Sequence, residues 1–197
     1  MERRDCLKLG LAGVTAMAVA DKAWALKYYP RLSDKKWAVL YATWCGTARD
    51  AGVWISEGMG GIANVFDLRE NPDLKGYDHI VIGSAIRYTI HPDLKKYIEE
   101  NQDWLKNKIR GLYIVCGSMG QPVGPKQRED FIDNQLAKIC GVSNVPSKAL
   151  DGRMTKALVE LPDIVEEMKK AGLPDWDNLK RSDCLEFGKL ILDSTKR

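Results

Sequence analysis

Apolar positions along the chain follow two alternating rhythms. Residues 35–43, KKWAVLYAT, hold a continuous apolar run of the kind a buried parallel strand needs, because helices cover both of its faces. Beyond Gly46 the rhythm changes: Ala48, Ala51, Trp54, Ile55 and Met59 recur at the spacing of one helix face, and GMGG at 58–61 predicts the helix end. IANVFDL (62–68) predicts a second strand and YDHIVIGSAI (77–86) a third. Helical spacing resumes after His91-Pro92, with the proline in a first turn where its missing N–H does no harm. GLYIVCG (111–117) predicts a fourth strand, PKQREDFIDNQLAKIC (125–140) a helix, and SKALDG (147–152) a weaker fifth strand. Thr155 to Lys170 reads as a further helix in spite of Pro162, and residues 176–197 as a closing one. Strand and helix alternate throughout, which predicts an α/β domain on an open parallel sheet with right-handed crossovers.

The first 25 residues break this pattern. They have a charged start, a short apolar stretch from Leu9 to Ala20 and a small-x-small ending at Ala23 and Ala25, the physics of a signal peptide. The apolar stretch is shorter than the about 20 residues that cross a bilayer, so no stable span is expected once the leader is removed. Arg3 and Arg4, followed by Leu7 and Lys8, resemble a twin-arginine export signal, with Cys6 where that pattern most often has an aromatic residue. Such export carries folded proteins, often with a cofactor already inserted, and places the mature protein outside the cytoplasm. Residues 26–35 read as a linker and 36–197 as one domain.

Composition narrows the functional classes. The 197 residues are 45% hydrophobic and 29% charged, ordinary for a domain that buries a core. Net charge is +3, and removing residues 1–25 takes away four basic and three acidic residues, leaving +2. Basic residues are scattered among acidic ones without a stripe, so nucleic acid is not an expected partner. Outside the leader, Cys45, Cys116, Cys140 and Cys184 form no CxxC and no metal-type cluster. His79 and His91 read as capping or surface residues, and Asp67, Asp73 and Asp78 as separate turn and strand-end residues, so no metal site and no acid–base carboxylate pair is expected.

Candidate chemistry lies where the strands end. In open parallel sheets, ligands bind at the carboxyl ends of strands, where strand order reverses. Three predicted loops leave those ends: ATWCGTA, GSAIRYTIH and CGSMGQPVG. The first joins a strand to a helix, so its amides and the helix dipole favour an anion, and Thr43, Gly46 and Thr47 suit that task. Trp44-Cys45-Gly46 also echoes a thioredoxin site, but the second cysteine of that dithiol would fall at position 48, which is Ala48.

TWCGTA at 43–48 resembles the flavodoxin phosphate loop, of the form T-x-T-G-x-T. Cys45 and Ala48 stand where that loop usually has threonines. YDHIVIGSAIRYTIHPDLKKYIEEN at 77–101 is similar to the corresponding run of the menaquinone-dependent protoporphyrinogen oxidases, a flavodoxin-like branch, and residues 77–88 carry the likeness. That branch continues with an aromatic and basic stretch, whereas residues 149–160 here read ALDGRMTKALVE, where Arg153 and Lys156 keep some basic character.

The resemblance implies a five-stranded parallel sheet in the order 2-1-3-4-5 with helices on both faces, and noncovalent FMN. It implies cofactor contacts from Thr43, Trp44, Cys45, Gly46, Thr47 and Ala48. A second set would come from Ser84, Ala85, Ile86, Arg87 and Tyr88, with Tyr88 flanking the ring and Arg87 offsetting negative charge on reduced flavin. Cys116, Gly117, Ser118, Met119 and Gly120 would form the opposite wall. The function implied is electron transfer or flavin-dependent oxidoreduction with a redox partner or a quinone. The substitutions at Cys45 and Ala48 keep a second reading open: a flavodoxin-fold binding or assembly module that has lost FMN.

Overall fold

A computed structural model describes residues 33–117 and 122–196. The leader at 1–25, residues 26–32 of the lead-in, and the expected cofactor contacts Ser118, Met119 and Gly120 lie outside the described residues.

Strand β1 (Trp37–Ala42) is an inner strand of the sheet, with all six residues buried. Its side chains alternate between two cores. Ala38, Leu40 and Ala42 face one layer, while Trp37, Val39 and Tyr41 face the other. The continuous apolar run in the sequence arises because both faces of this strand are covered.

β1 pairs in parallel with β2 (Ala63–Asp67) on one side and with β3 (His79–Arg87) on the other. β3 then pairs with β5 (Ile109–Cys116), and β5 with β6 (Ser147–Asp151), both in parallel. Between β3 and β5, the two-residue β4 (Thr89–Ile90) folds back antiparallel on the end of β3. Numbered among themselves, the five parallel strands run 2-1-3-4-5, as expected. Strand order reverses between β1 and β3.

Helix α1 (Thr47–Gly58) and the closing helix α5 (Arg181–Ser194) cover one face, contributing Ala51, Ile55, Phe187 and Ile191 to the core. They approach so closely that a β-carbon on Gly58 would overlap Leu185, and one on Gly188 would overlap the Ile55 carbonyl. The other face is covered by α2 (Pro92–Leu105) and by α3, a helix over residues 125–140. Leu94, Ile98, Ile132 and Leu136 point inward from this layer. The middle of α3, Arg128–Leu136, is wound as a π-helix, with the Ala137 N–H reaching back to the Ile132 carbonyl.

Three local expectations change. β3 continues through Arg87, where a loop was expected after Ile86, because β4 supplies it with a partner there. The helix expected from Thr155 begins at Pro162 instead: α4 is Pro162–Lys170. The ring of a proline forces the preceding residue out of helical geometry, and Leu161 accordingly sits at φ −109°, ψ 101°. Only a short 3-10 turn, Lys156–Leu158, forms upstream. Finally, Trp176 and Asp177 are not helical but form β8 (Trp176–Asp177), antiparallel to β7 (Arg153–Met154).

Among the described residues, Cys45, Cys116, Cys140 and Cys184 are all buried and unpaired. No described helix is long and apolar enough to cross a membrane.

Candidate functional site

The first loop leaves β1 at Ala42 and enters α1 at Thr47. Gly46 makes the turn at φ 79°, a left-handed conformation open to glycine without steric cost. No side chain caps α1, so the N–H groups of its first turn and the positive end of its dipole are left to a ligand. Below this turn, the fully buried phenol of Tyr113 on β5 donates to the Ala48 carbonyl at 2.7 Å and fixes the height of the helix start.

β7 lies against the same loop. The Cys45 Sγ and the Thr47 Oγ1 each donate to the Arg153 carbonyl at 3.3 Å, and are 3.1 Å from each other. The Glu160 N–H donates to the Trp44 carbonyl at 2.9 Å. The Arg153 side chain then folds over the loop and pairs with Asp50 at 2.5 Å. Arg49 reaches the other oxygen of that carboxylate at 3.0 Å. Both guanidinium groups converge beside Gly46: a β-carbon there would meet an Arg49 nitrogen at 3.6 Å and an Arg153 nitrogen at 3.8 Å.

A cleft opens at the carboxyl ends of β1, β3 and β5, where the sheet order reverses. Trp44, Cys45 and Thr47 line it from the first loop, and Ala85, Ile86 and Arg87 from the end of β3. Cys116 and Gly117 form its wall at β5. The remaining side is closed by Gly152, Arg153, Met154 and Trp176, with Val159 and Ile164 above them. Most of these surfaces are apolar, with charge at the two arginines and donors at the helix start. A flat aromatic body with a phosphate tail suits that distribution.

Eight expected contacts therefore meet in one cleft: Trp44, Cys45, Thr47, Ala85, Ile86, Arg87, Cys116 and Gly117. Gly46 and Ala48 shape the loop without lining the cleft. Ser84 is fully buried behind it, donating its hydroxyl to the Ala85 carbonyl and accepting from the His91 N–H. Tyr88 stands away from the cleft, 88% exposed at a left-handed φ of 63°. The Arg87 guanidinium lies over its ring at 5.9 Å and pairs with Asp163 on α4 at 2.7 Å. The side chains that stand at the cleft in its place are Trp44 and Trp176. Nothing local in the sequence marks Trp176 or Arg153, since each reaches the cleft through pairing between β7 and β8.

Thr43 faces a second hollow on the β2 side of the loop, shared with Asp67, Arg69, His91 and Asp93. Asp67 takes a two-pronged ion pair from Arg69, which holds its carboxyl below the usual range. The Thr43 Oγ1 and the His91 Nδ1 are buried here without hydrogen-bond partners. Burial lowers the His91 pKa, with the Asp93 carboxylate pulling the other way, and the ring stacks on Trp44 at 3.8 Å. No group of metal-ligating side chains occurs among the described residues.

Sheet order, the uncapped helix behind Gly46 and the cleft at the strand ends define a flavodoxin-type domain. Residues 38–148 match the family model for the flavodoxin domain, and the chain belongs to that family. Among solved structures it is similar to a flavodoxin from the domain Archaea, at 13% identity and a TM-score of 0.45, over 81% of this chain and 98% of that one. It is also similar to a flavo-di-iron protein from Thermotoga maritima, at 12% identity and a TM-score of 0.49, over 85% of this chain and 37% of that one. Rubredoxin oxygen:oxidoreductase from Desulfovibrio gigas is a third, at 13% identity and a TM-score of 0.42, over 90% and 41% of the two chains. No curated protein matches the chain.

Proposed function

We propose that this protein binds FMN noncovalently in the cleft at the ends of β1, β3 and β5 and serves in flavin-linked electron transfer or oxidoreduction. The observation that carries the reading is the uncapped start of α1 opening beside an apolar cleft at the reversal of strand order. Bound there, FMN would supply one- or two-electron chemistry. The chain's own residues would do the rest. The first turn of α1 takes the phosphate, while Trp44, Ile86, Met154 and Trp176 shield the ring from water. Arg87, tied to Asp163, brings positive charge to the cleft's rim.

The near-neutral mature domain lacks the strongly acidic surface with which many flavodoxins dock on basic partners. That favours a quinone or another small acceptor, and the run at residues 77–88 supports a relation to the quinone-linked protoporphyrinogen oxidases. The paired Arg3 and Arg4 support export by the twin-arginine route before any such reaction.

Purification from the exported fraction tests the reading. The expected product shows visible flavin absorbance and begins at Leu26. The second reading, a module without flavin, is favoured by the way the Arg153 carbonyl accepts bonds from Cys45 and Thr47. A colourless product that FMN cannot reconstitute would establish that reading in place of the first.

A further inference from the structure

The phosphate loop departs from its family pattern at two hydroxyl positions, Cys45 and Ala48. Threonine hydroxyls add to the backbone donors in such loops, so this chain has lost part of the usual set and keeps the uncapped first turn of α1. The surroundings of Gly46 provide a substitute for the lost part. Arg49, in the first turn of α1, and Arg153, on β7, reach this glycine from different parts of the chain. A single carboxylate, Asp50, holds both: one oxygen faces Arg49 at 3.0 Å and the other faces Arg153 at 2.5 Å. Asp177 approaches Arg153 at 3.6 Å from the paired strand β8.

Two features separate this cluster from an ordinary surface ion pair. The Arg153 side chain is 14% exposed, and its Nε is buried without a hydrogen-bond partner. A buried guanidinium N–H with no acceptor is costly, so this side chain is held in place by the fold and not by solvation, while its terminal nitrogen faces the turn at Gly46. The backbone of Arg153 is also fixed to the loop through Cys45 and Thr47, so the side chain is set beside the helix start before any ligand arrives. Preorganisation of this kind lowers the entropy lost on binding.

Resting on the proposed flavin function, we infer that Arg49 and Arg153, held by Asp50, form a two-arginine clamp that replaces the missing hydroxyls and makes this site select phosphorylated flavin over riboflavin. The clamp adds charge to the neutral donors at the start of α1. A guanidinium offers planar paired donors to a phosphate, and charge-assisted bonds of this type are about twice as strong as neutral ones. Asp50 is a positioning residue, since it acts through the two arginines, and its own charge opposes the phosphate. Replacing it with a neutral isostere removes repulsion while leaving a hydrogen-bond acceptor for one arginine.

Titration of the full-length protein with FMN and with riboflavin, followed by flavin fluorescence, tests the clamp. The unsubstituted protein binds FMN at least about tenfold more tightly than riboflavin. Arg153→Gln and Arg49→Gln each lose about tenfold or more in FMN affinity while riboflavin affinity stays within about twofold. Arg153→Lys retains charge without the planar fork and falls between. Asp50→Asn binds FMN as tightly as the parent or more so. Inorganic phosphate displaces FMN and leaves riboflavin in place. Far-UV circular dichroism of each variant establishes that it is folded.

Equal FMN affinity in the parent and both glutamine variants would overturn the clamp and leave the flavin function standing. A parallel loss of FMN and riboflavin in a folded Arg153→Gln would overturn it too, by showing a purely structural role. A parent protein that binds neither flavin overturns the flavin function and the clamp with it.

Discussion

Cys45 shows how a residue's surroundings decide its role. Its sequence context suggests a nucleophile, yet its Sγ sits between the Thr47 hydroxyl and the Arg153 carbonyl, with the residue 6% exposed. Burial pushes Cys116, Cys140 and Cys184 up to about 12, and the neutral thiol is a poor nucleophile. Alkylation of Cys45, read by peptide mass spectrometry, is expected to follow access through the cleft it lines. Saturating FMN should slow that reaction, because phosphate and thiolate compete for the same positive potential. Modification of Cys45 at the same rate with and without flavin would refute this account of the loop. The position of Cys45 beside Gly46 was legible because it depends on neighbours in the chain. The sequence marks Arg153 only as a basic residue, because its contact with Asp50 spans 103 positions that local pattern does not bridge. Tyr88 illustrates the converse. The tight turn that pairs β4 with β3 leaves it 88% exposed and outside the lining of the cleft, and no residue-type rule encodes that placement.

At the level of elements, the five parallel strands were readable because two-sided burial writes itself as continuous apolar sequence. The two-residue strands β4, β7 and β8 were not, since each is defined by its partner and lacks a periodicity of its own. Apolar spacing predicts helix α4 from Thr155, but Pro162 holds Leu161 out of helical geometry and the helix starts only there. The join between β3 and β5 carries a sharper test. Gly83 leaves room for the ring of Tyr113, and a β-carbon at 83 would overlap that ring. Gly83→Ala is expected to lower stability by about 3 kcal/mol in urea unfolding, since neither central strand can move aside. Tyr113→Phe removes the bond to the Ala48 carbonyl and should lose about 1–2 kcal/mol. Combined, Gly83→Ala and Tyr113→Ala should be far from additive, because the smaller side chain vacates the space the methyl group enters.

For the whole molecule, the sheet divides two cores, and each core is closed by a helix pair. On the α1 side, closure depends on backbone contact at Gly58 and Gly188, where side chains of any size would separate the helices. Gly188→Ala is expected to lower stability by about 2–4 kcal/mol, measured by urea unfolding, even though alanine favours an isolated helix. A Gly188→Ala variant as stable as the parent would mean that the two helices separate without loss of packing. The resulting scaffold is the one legible in the sequence, and its strand order sets where a ligand would go.

The boundary of the family match gives the closing strands a different significance. Residues 38–148 suffice for membership, while Arg153, Met154, Val159, Ile164 and Trp176 come after it. Residues within the matched span line one side of the cleft and residues beyond it line the other, so substitutions in β7, β8 and α4 would change what the cleft admits without touching a parallel strand.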